Sequence, residues 1–385
     1  MIDGAAAGAA GAAGLVAAPH RERFVIFREP GTAAPYPRLE RLAGGRLVAG
    51  VPLDTATDYF AGGRLCVLVS ADGGATWAPT EDASLPLNWP GSSTRERWDR
   101  ATCVLPDGAW FGTGAVGWQA WPAARRAEAE AEGRFVTPRH PPGEPALIGV
   151  GTNTVYVQRS NDAGRTWTRR EVELPRAGWT LGLPRHVTLH DGTILLPLRQ
   201  RSRDARSGQV LIARVTPGGA DAAGDRLRVY PVPRDLEGAV GSEAALAAVG
   251  RDRVLALIRA DGTRGGSGHL LASWSEDGGR CWTLPVATDI WGRPPHLLPL
   301  ADGRLLCTYG HQRAPLGVQA VVSADGGETW DTAHRVVVAG DGASDELGYH
   351  PMSVQLDDAS IYTAYYDRAG DGVPYSVGVR WRLPW

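Results

Sequence analysis

Cysteine is scarce in this chain. Four residues of 385, Cys66, Cys103, Cys281 and Cys307, lie far apart, with no CxxC pair and no Cys/His ligand spacing. They are expected as buried free thiols in strands, and no metal site is expected. No apolar run is long enough to cross a bilayer, so no membrane partner is expected. The Ala/Gly-rich start lacks both a basic opening and a sustained apolar core, which argues against a secretory signal and for a cytoplasmic protein. Charge of one sign is missing too. Forty basic groups face 42 acidic ones, and a net charge of -2 gives no global field toward nucleic acid. No cofactor is expected.

Turn formers are abundant instead. Gly 50 and Pro 28 beside 43% hydrophobic residues fit many short strands joined by tight turns over an ample core. One turn recurs four times: Ser70-Ala-Asp-Gly-Gly-Ala-Thr-Trp77, Ser160-Asn-Asp-Ala-Gly-Arg-Thr-Trp167, Ser275-Glu-Asp-Gly-Gly-Arg-Cys-Trp282 and Ser323-Ala-Asp-Gly-Gly-Glu-Thr-Trp330. In each, the Asp can accept bonds from backbone amides and a hydroxyl, and the Gly supplies a conformation other residues resist. The Trp can plug a seam between sheets.

A second pattern repeats six times, an apolar alternation broken by a Gly or Asp turn: Leu42 to Leu47, Leu105 to Trp110, Leu189 to Ile194, Val249 to Val254, Leu300 to Leu305 and Leu356 to Ile361. Asp-Gly between alternating segments is a strong hairpin signal. Six hairpins predict an all-β, six-bladed β-propeller, with the Ser-x-Asp turns joining the third and fourth strands of the first, second, fourth and fifth blades. The expected organisation is a flexible leader over 1–22 and a single propeller over 23–385. An insertion over 118–148 in the second blade carries a helix-prone run from Ala123 to Glu132 and is expected as a surface lid.

In a propeller the innermost strands line the central channel, so residues seven to nine ahead of each hairpin turn should share one mouth. Those positions hold Arg38, Arg100 with Asp99, Arg185 with His186, Glu243, His296 with Arg293, and Tyr349 with His350. None is aliphatic. The returning strands add Arg199, Arg259, His311, Arg313, Tyr365 and Asp367 at about the same height, with Trp98, Trp118, Trp121 and Trp291 around them. Such a mouth suits an anionic ligand with an apolar, sugar-like face.

The Ser-x-Asp-x-Gly-x-Thr-Trp turn resembles the Asp box of the sialidase superfamily, whose members are six-bladed propellers and retaining glycosidases. The resemblance implies a Tyr nucleophile paired with a Glu, an Asp acid/base and three arginines on a substrate carboxylate. The segment from Gly241 to Leu246 with Leu255 to Arg259 is similar to the part that carries the paired Glu and an arginine, which implies those roles for Glu243 and Arg259. Leu347 to Leu356 is similar to the nucleophile segment and implies Tyr349. Asp58, with Asp54 as the alternative, stands where the acid/base is expected. Arg38 is the candidate first arginine, because Pro35 occupies the usual position, and the third is either Arg313 or Gln319. Arg185, Arg100, His296 and His311 complete the candidate substrate-binding set.

The expected function is thus an exo-acting, sialidase-like hydrolase of a terminal acidic sugar. A polysaccharide lyase acting on uronic acids, with a Tyr or His removing the proton beside an arginine-neutralised carboxylate, is the alternative enzyme. A non-catalytic glycan-binding propeller is the third possibility. A small acidic sugar or glycan is the expected partner.

Overall fold

A computed structural model describes residues 15–42, 44–55, 64–82, 103–105, 108–136, 146–162, 164–174, 179–183, 186–201, 208–218, 224–234, 240–261, 268–343, 348–368 and 370–385. The described residues form six sheets, antiparallel but for one outer strand, arranged as the blades of a β-propeller. Each begins with a strand or strand pair at the channel, and each of the six expected hairpins joins the first strand to the second. In the fourth blade, for example, Val240–Ala248 turns into Val254–Asp261 and is followed by His269–Ser275 and Val286–Trp291.

Alternation sets the packing. Leu195, Ile212, Leu246, Val254 and Ala256 are all buried in one cluster at the seam between the third and fourth blades. Leu255, Leu257, Leu297, Cys307 and Val321 fill the next seam. Adjacent residues of one strand, Val254 and Leu255, therefore serve opposite faces, as a period of two requires.

The four Asp boxes fold alike. Asp72 Oδ1 accepts from the Ser70 hydroxyl at 2.8 Å and the Thr76 amide at 2.9 Å, while Oδ2 accepts from the Thr76 hydroxyl at 2.6 Å. The Trp77 indole then donates to the Gly74 carbonyl at 3.0 Å, as those of Trp167 and Trp282 do to Gly164 and Gly279, whereas the Trp330 indole makes no such bond. In the third copy Cys281 replaces the Thr, and its amide still donates to Asp277 at 2.8 Å. Cys307 is buried in its strand as expected and Cys66 is half-buried, but Cys281 is exposed because it sits in this turn.

The third blade has no Asp box. There Asp225 is fully buried, accepts from the Gly218 amide at 3.1 Å and faces Arg159 of the second blade at 3.6 Å.

Ring closure uses the beginning of the chain twice. Glu22–Phe27 pairs antiparallel with Pro374–Trp381 and supplies the outer strand of the sixth blade. Leu15–Ala17 runs parallel to Arg335–Ala339 on the outside of the fifth. Residues 15–22, expected as flexible leader, are thus partly strand, since they cover edges that would otherwise be bare.

The second-blade insertion is a projecting arm. Trp110–Pro122 and Leu147–Ser160 stay paired from Ser160↔Trp110 out to Leu147↔Pro122, with a bulge between Gly151 and Thr154. A 3-10 turn at Ala123–Arg125 and a short helix at Arg126–Ala131 cap it. Ala129, Ile148 and Val150 are buried beneath Trp121.

Candidate active site

The starts of the inner strands and the ends of the second strands meet on one face, opposite the Asp boxes, because both precede or follow the same hairpins. A pocket open to solvent lies there. Arg38, Glu243, Pro294, His296, His350 and Met352 are among its lining residues, drawn from the first, fourth, fifth and sixth blades.

Glu243 is its centre of charge. Its Oε2 accepts from Arg259 Nη1 at 2.7 Å, and its Oε1 lies 3.8 Å from Arg199 Nη1 and 3.9 Å from His350 Nε2. Burial acts to raise the carboxyl pKa and is the largest single influence, yet Arg259, His350 and Arg201 together outweigh it and hold Glu243 below the usual glutamate value. Arg38 is poorly solvated. Burial lowers its guanidinium to about 10, against the upward pull of Glu243 and Tyr36.

The histidines are placed by hydrogen bonds. His296 is buried and accepts from the Ser353 amide through Nδ1 at 3.3 Å, which leaves Nε2 as the protonated nitrogen. His350 meets the Tyr36 ring edge-on at 4.6 Å between centroids, and Tyr36 in turn meets Tyr366 at 5.1 Å. Backbone strain gathers beside it: Tyr36, Tyr349 and His350 have φ of 56°, 60° and 45°, in the region that L side chains rarely adopt.

The candidate residues are not all brought together. Glu243, Arg259, Arg38 and His296 converge. Tyr349 does not join them, although its neighbour His350 does. Its side chain is fully buried among Leu316, Ala339 and Tyr365, and its hydroxyl donates to the Ala343 carbonyl. Tyr349 and His350, both with positive φ, thus have different surroundings, the phenol in the core and the imidazole in the pocket wall.

Arg313 lies on the rim, exposed, with its guanidinium 3.7 Å from the Trp291 ring centroid. Gln319 is buried within the fifth blade, accepting from the Tyr309 hydroxyl at 3.3 Å, and so does not replace an arginine at the mouth. His311 is buried beside Trp291, with its Nδ1 2.9 Å from the Arg313 carbonyl. Asp58, Arg100 and Arg185 lie outside the described residues, and Asp54 lies in the strand Leu47–Thr55.

Sequence reasoning passed over Tyr36, Tyr366 and Arg201. Arg201 was within reach, because period two puts it on the face of Arg199. The arm contributes indirectly. Phe135 packs on Trp179 at 6.5 Å between centroids, and Trp179 carries Arg199 at 5.6 Å.

A family profile described as a BNR repeat-like domain matches residues 143–363. Among solved structures, a protein of unknown function from Dyadobacter fermentans is 21% identical with a TM-score of 0.69, over 95% of this chain and 100% of that one. An intramolecular trans-sialidase from Ruminococcus gnavus is 13% identical, TM-score 0.54, over 91% and 94%. An alpha-L-arabinanase from Penicillium chrysogenum is 14% identical, TM-score 0.51, over 94% and 98%. No curated protein matches the sequence. At these identities the structural likeness is one of fold.

Proposed function

The chain belongs to the family of BNR repeat-like domains, and from that premise we propose that it is a glycoside hydrolase acting on a negatively charged sugar. The observation that carries the proposal is the half-buried Glu243 carboxylate, bonded to Arg259 at 2.7 Å inside a pocket that Arg38 and His350 also line. Glycoside cleavage passes through an oxocarbenium-like state, which an ionised carboxylate stabilises. Arg38, Arg199 and Arg259 would hold the anionic substituent, and His350 is the proton-handling group beside Glu243. Support for a sugar ligand comes from two of the similar propellers, the trans-sialidase in complex with oseltamivir carboxylate and the arabinanase complexed with arabinobiose.

The finer proposal is exo-cleavage of a terminal acidic sugar, with Asp58 as acid/base. A retaining Tyr/Glu route would require the Tyr349 hydroxyl to exchange Ala343 for Glu243. The test is a panel of fluorogenic acidic glycosides with the product anomer followed by NMR. Glu243→Gln should lower kcat/KM by about 10²-fold or more, and unchanged turnover would falsify the assignment.

A second enzyme reading is favoured by His350 itself, an imidazole rather than a phenol beside the carboxylate. In a uronate lyase it would take the proton next to the arginine-held carboxylate. An ultraviolet absorbance rise from an unsaturated product distinguishes that outcome.

A further inference from the structure

We propose that the rim formed by Trp291, Arg293 and Arg313 is a second subsite, which grips the carboxylate or sulfate of a neighbouring sugar. The preferred ligand is then an acidic oligosaccharide rather than a single terminal sugar. The inference rests on the pocket reading only for the direction in which the chain enters.

Continuity is the first argument. The short segment from Trp291 to Leu297 runs from the rim into the pocket, where Pro294, Pro295, His296 and Leu297 are lining residues. It is pinned at both sides, the Gly292 amide donating to the Gly268 carbonyl at 3.0 Å and the Arg293 amide to the Gly310 carbonyl at 2.8 Å. Trp291 is thus joined to the pocket wall at Pro294 through only Gly292 and Arg293.

The second argument is an exposed cation with nothing to neutralise it. Arg313 lies against the indole at 3.7 Å, and among the described residues it has no carboxylate partner. Stacking fixes the plane of the guanidinium while leaving its edge donors for a planar or tetrahedral oxyanion. Arg293 adds a second guanidinium, oriented by its Nε bond to Gln312 Oε1 at 2.8 Å.

The loop that carries Arg313 is held as well. His311 Nδ1 lies 2.9 Å from the Arg313 carbonyl and 3.2 Å from that of Pro315, and its ring meets Trp291 edge-on at 5.3 Å. Burial, with a smaller push from Arg335 and Arg313, lowers the His311 pKa, so at neutral pH the ring positions the loop without adding charge. Trp291 packs directly on the Gly268 backbone, its indole nitrogen 2.4 Å from where a Cβ would lie, so only a glycine there leaves room for the ring. An aromatic platform carrying an arginine with no carboxylate partner among the described residues, beside a charged pocket, is what an acidic chain needs for its second residue.

Calorimetric titration of the full chain with inorganic sulfate, glucuronate and a heparin-derived tetrasaccharide tests this. The parent protein should bind the tetrasaccharide at least about tenfold more tightly than either small anion, the gain of one charge-assisted hydrogen-bonded pair. Arg313→Ala should abolish that preference, and Arg313→Lys, which keeps charge but loses the planar fork, should restore only part of it. Trp291→Leu should behave like Arg313→Ala, and because Arg313 is exposed its variants remain informative if the Trp291 variant fails to fold. Binding that is equal for all three probes, or an Arg313→Ala protein with parental preference, overturns the subsite. Loss of hydrolysis in Glu243→Gln with the tetrasaccharide preference intact, or a parent that prefers the tetrasaccharide but hydrolyses no glycoside, separates the failure of the catalytic reading from the failure of this one.

Discussion

Tyr349 and His350 adjoin in sequence and have opposite surroundings. A residue-type argument favours the phenol, and the segment around it resembles a nucleophile segment, yet on a backbone with φ of 60° and 45° it is the imidazole that faces Glu243 and the phenol that bonds Ala343. Backbone conformation of this kind leaves no trace in a hydrophobic pattern, which is why Glu243, Arg259 and His296 were legible and the orientation of Tyr349 was not. In Tyr349→Phe the Ala343 carbonyl loses its donor, which should cost about 1–2 kcal/mol in urea unfolding while leaving kcat/KM within a few-fold. A collapse of turnover in that variant would instead restore the phenol to the chemistry. The net depression of the Glu243 pKa makes a pH prediction at the same scale. Its carboxylate stays ionised below the ordinary glutamate value of about 4.3, so the acid limb of kcat/KM should fall below that pH. Arg259→Met should move the limb upward, because the burial that remains favours the neutral acid.

Elements were the most readable level. The six hairpins fall where the apolar alternation breaks, and all four Asp boxes join third to fourth strands, because a tight turn is encoded by residues that touch one another. The Asp box is also a fastener between blades. A Cβ on Gly74, at φ 92°, would lie 2.0 Å from Cε2 of Tyr362, and one on Gly327, at φ 97°, would lie 2.3 Å from Cδ2 of Leu255. Both contacts are with the preceding blade. Gly74→Ala should therefore destabilise by about 2–4 kcal/mol, measured by chemical denaturation.

The Asp carboxylates add a pH signature. Hydrogen bonds led by the Thr76 hydroxyl and those led by the Thr166 hydroxyl lower Asp72 and Asp162, respectively, to about 2. A depressed folded-state pKa stabilises above the ordinary Asp value of about 3.9 and ceases to do so as pH falls toward 2. Asp72→Asn should accordingly be less stable than the parent at pH 7, with the deficit narrowing across that acid window. A deficit independent of pH would assign the loss to packing rather than charge. The buried Asp225–Arg159 pair was not legible, since it links two blades through residues remote in sequence.

For the whole molecule, what holds the ring closed is the pairing of Glu22–Phe27 with Pro374–Trp381, reinforced by Arg23 Nη2 bonded to Asp367 Oδ2 at 2.8 Å. Sequence reading begins the propeller at residue 23 and assigns the residues before it to a leader. The parallel pairing of Leu15–Ala17 with 335–337 carries no local turn signal to betray it. Truncation through Phe27 strips an edge from two blades at once. Calorimetry should show a lower Tm, and size-exclusion chromatography should show self-association through the bared Pro374–Trp381 edge. A truncated chain that stays monomeric with parental Tm would assign closure to the seams alone.

That same pairing bears on biosynthesis. Arg23 leaves the ribosome long before Asp367, which lies 344 residues behind it, so a nascent chain carries an orphan strand while all the intervening blades are made. The early blades can assemble as they emerge, but the wheel has no rim until the final segment is delivered. During that interval the protein is at its most adhesive, and it is then that chaperones have most to shield.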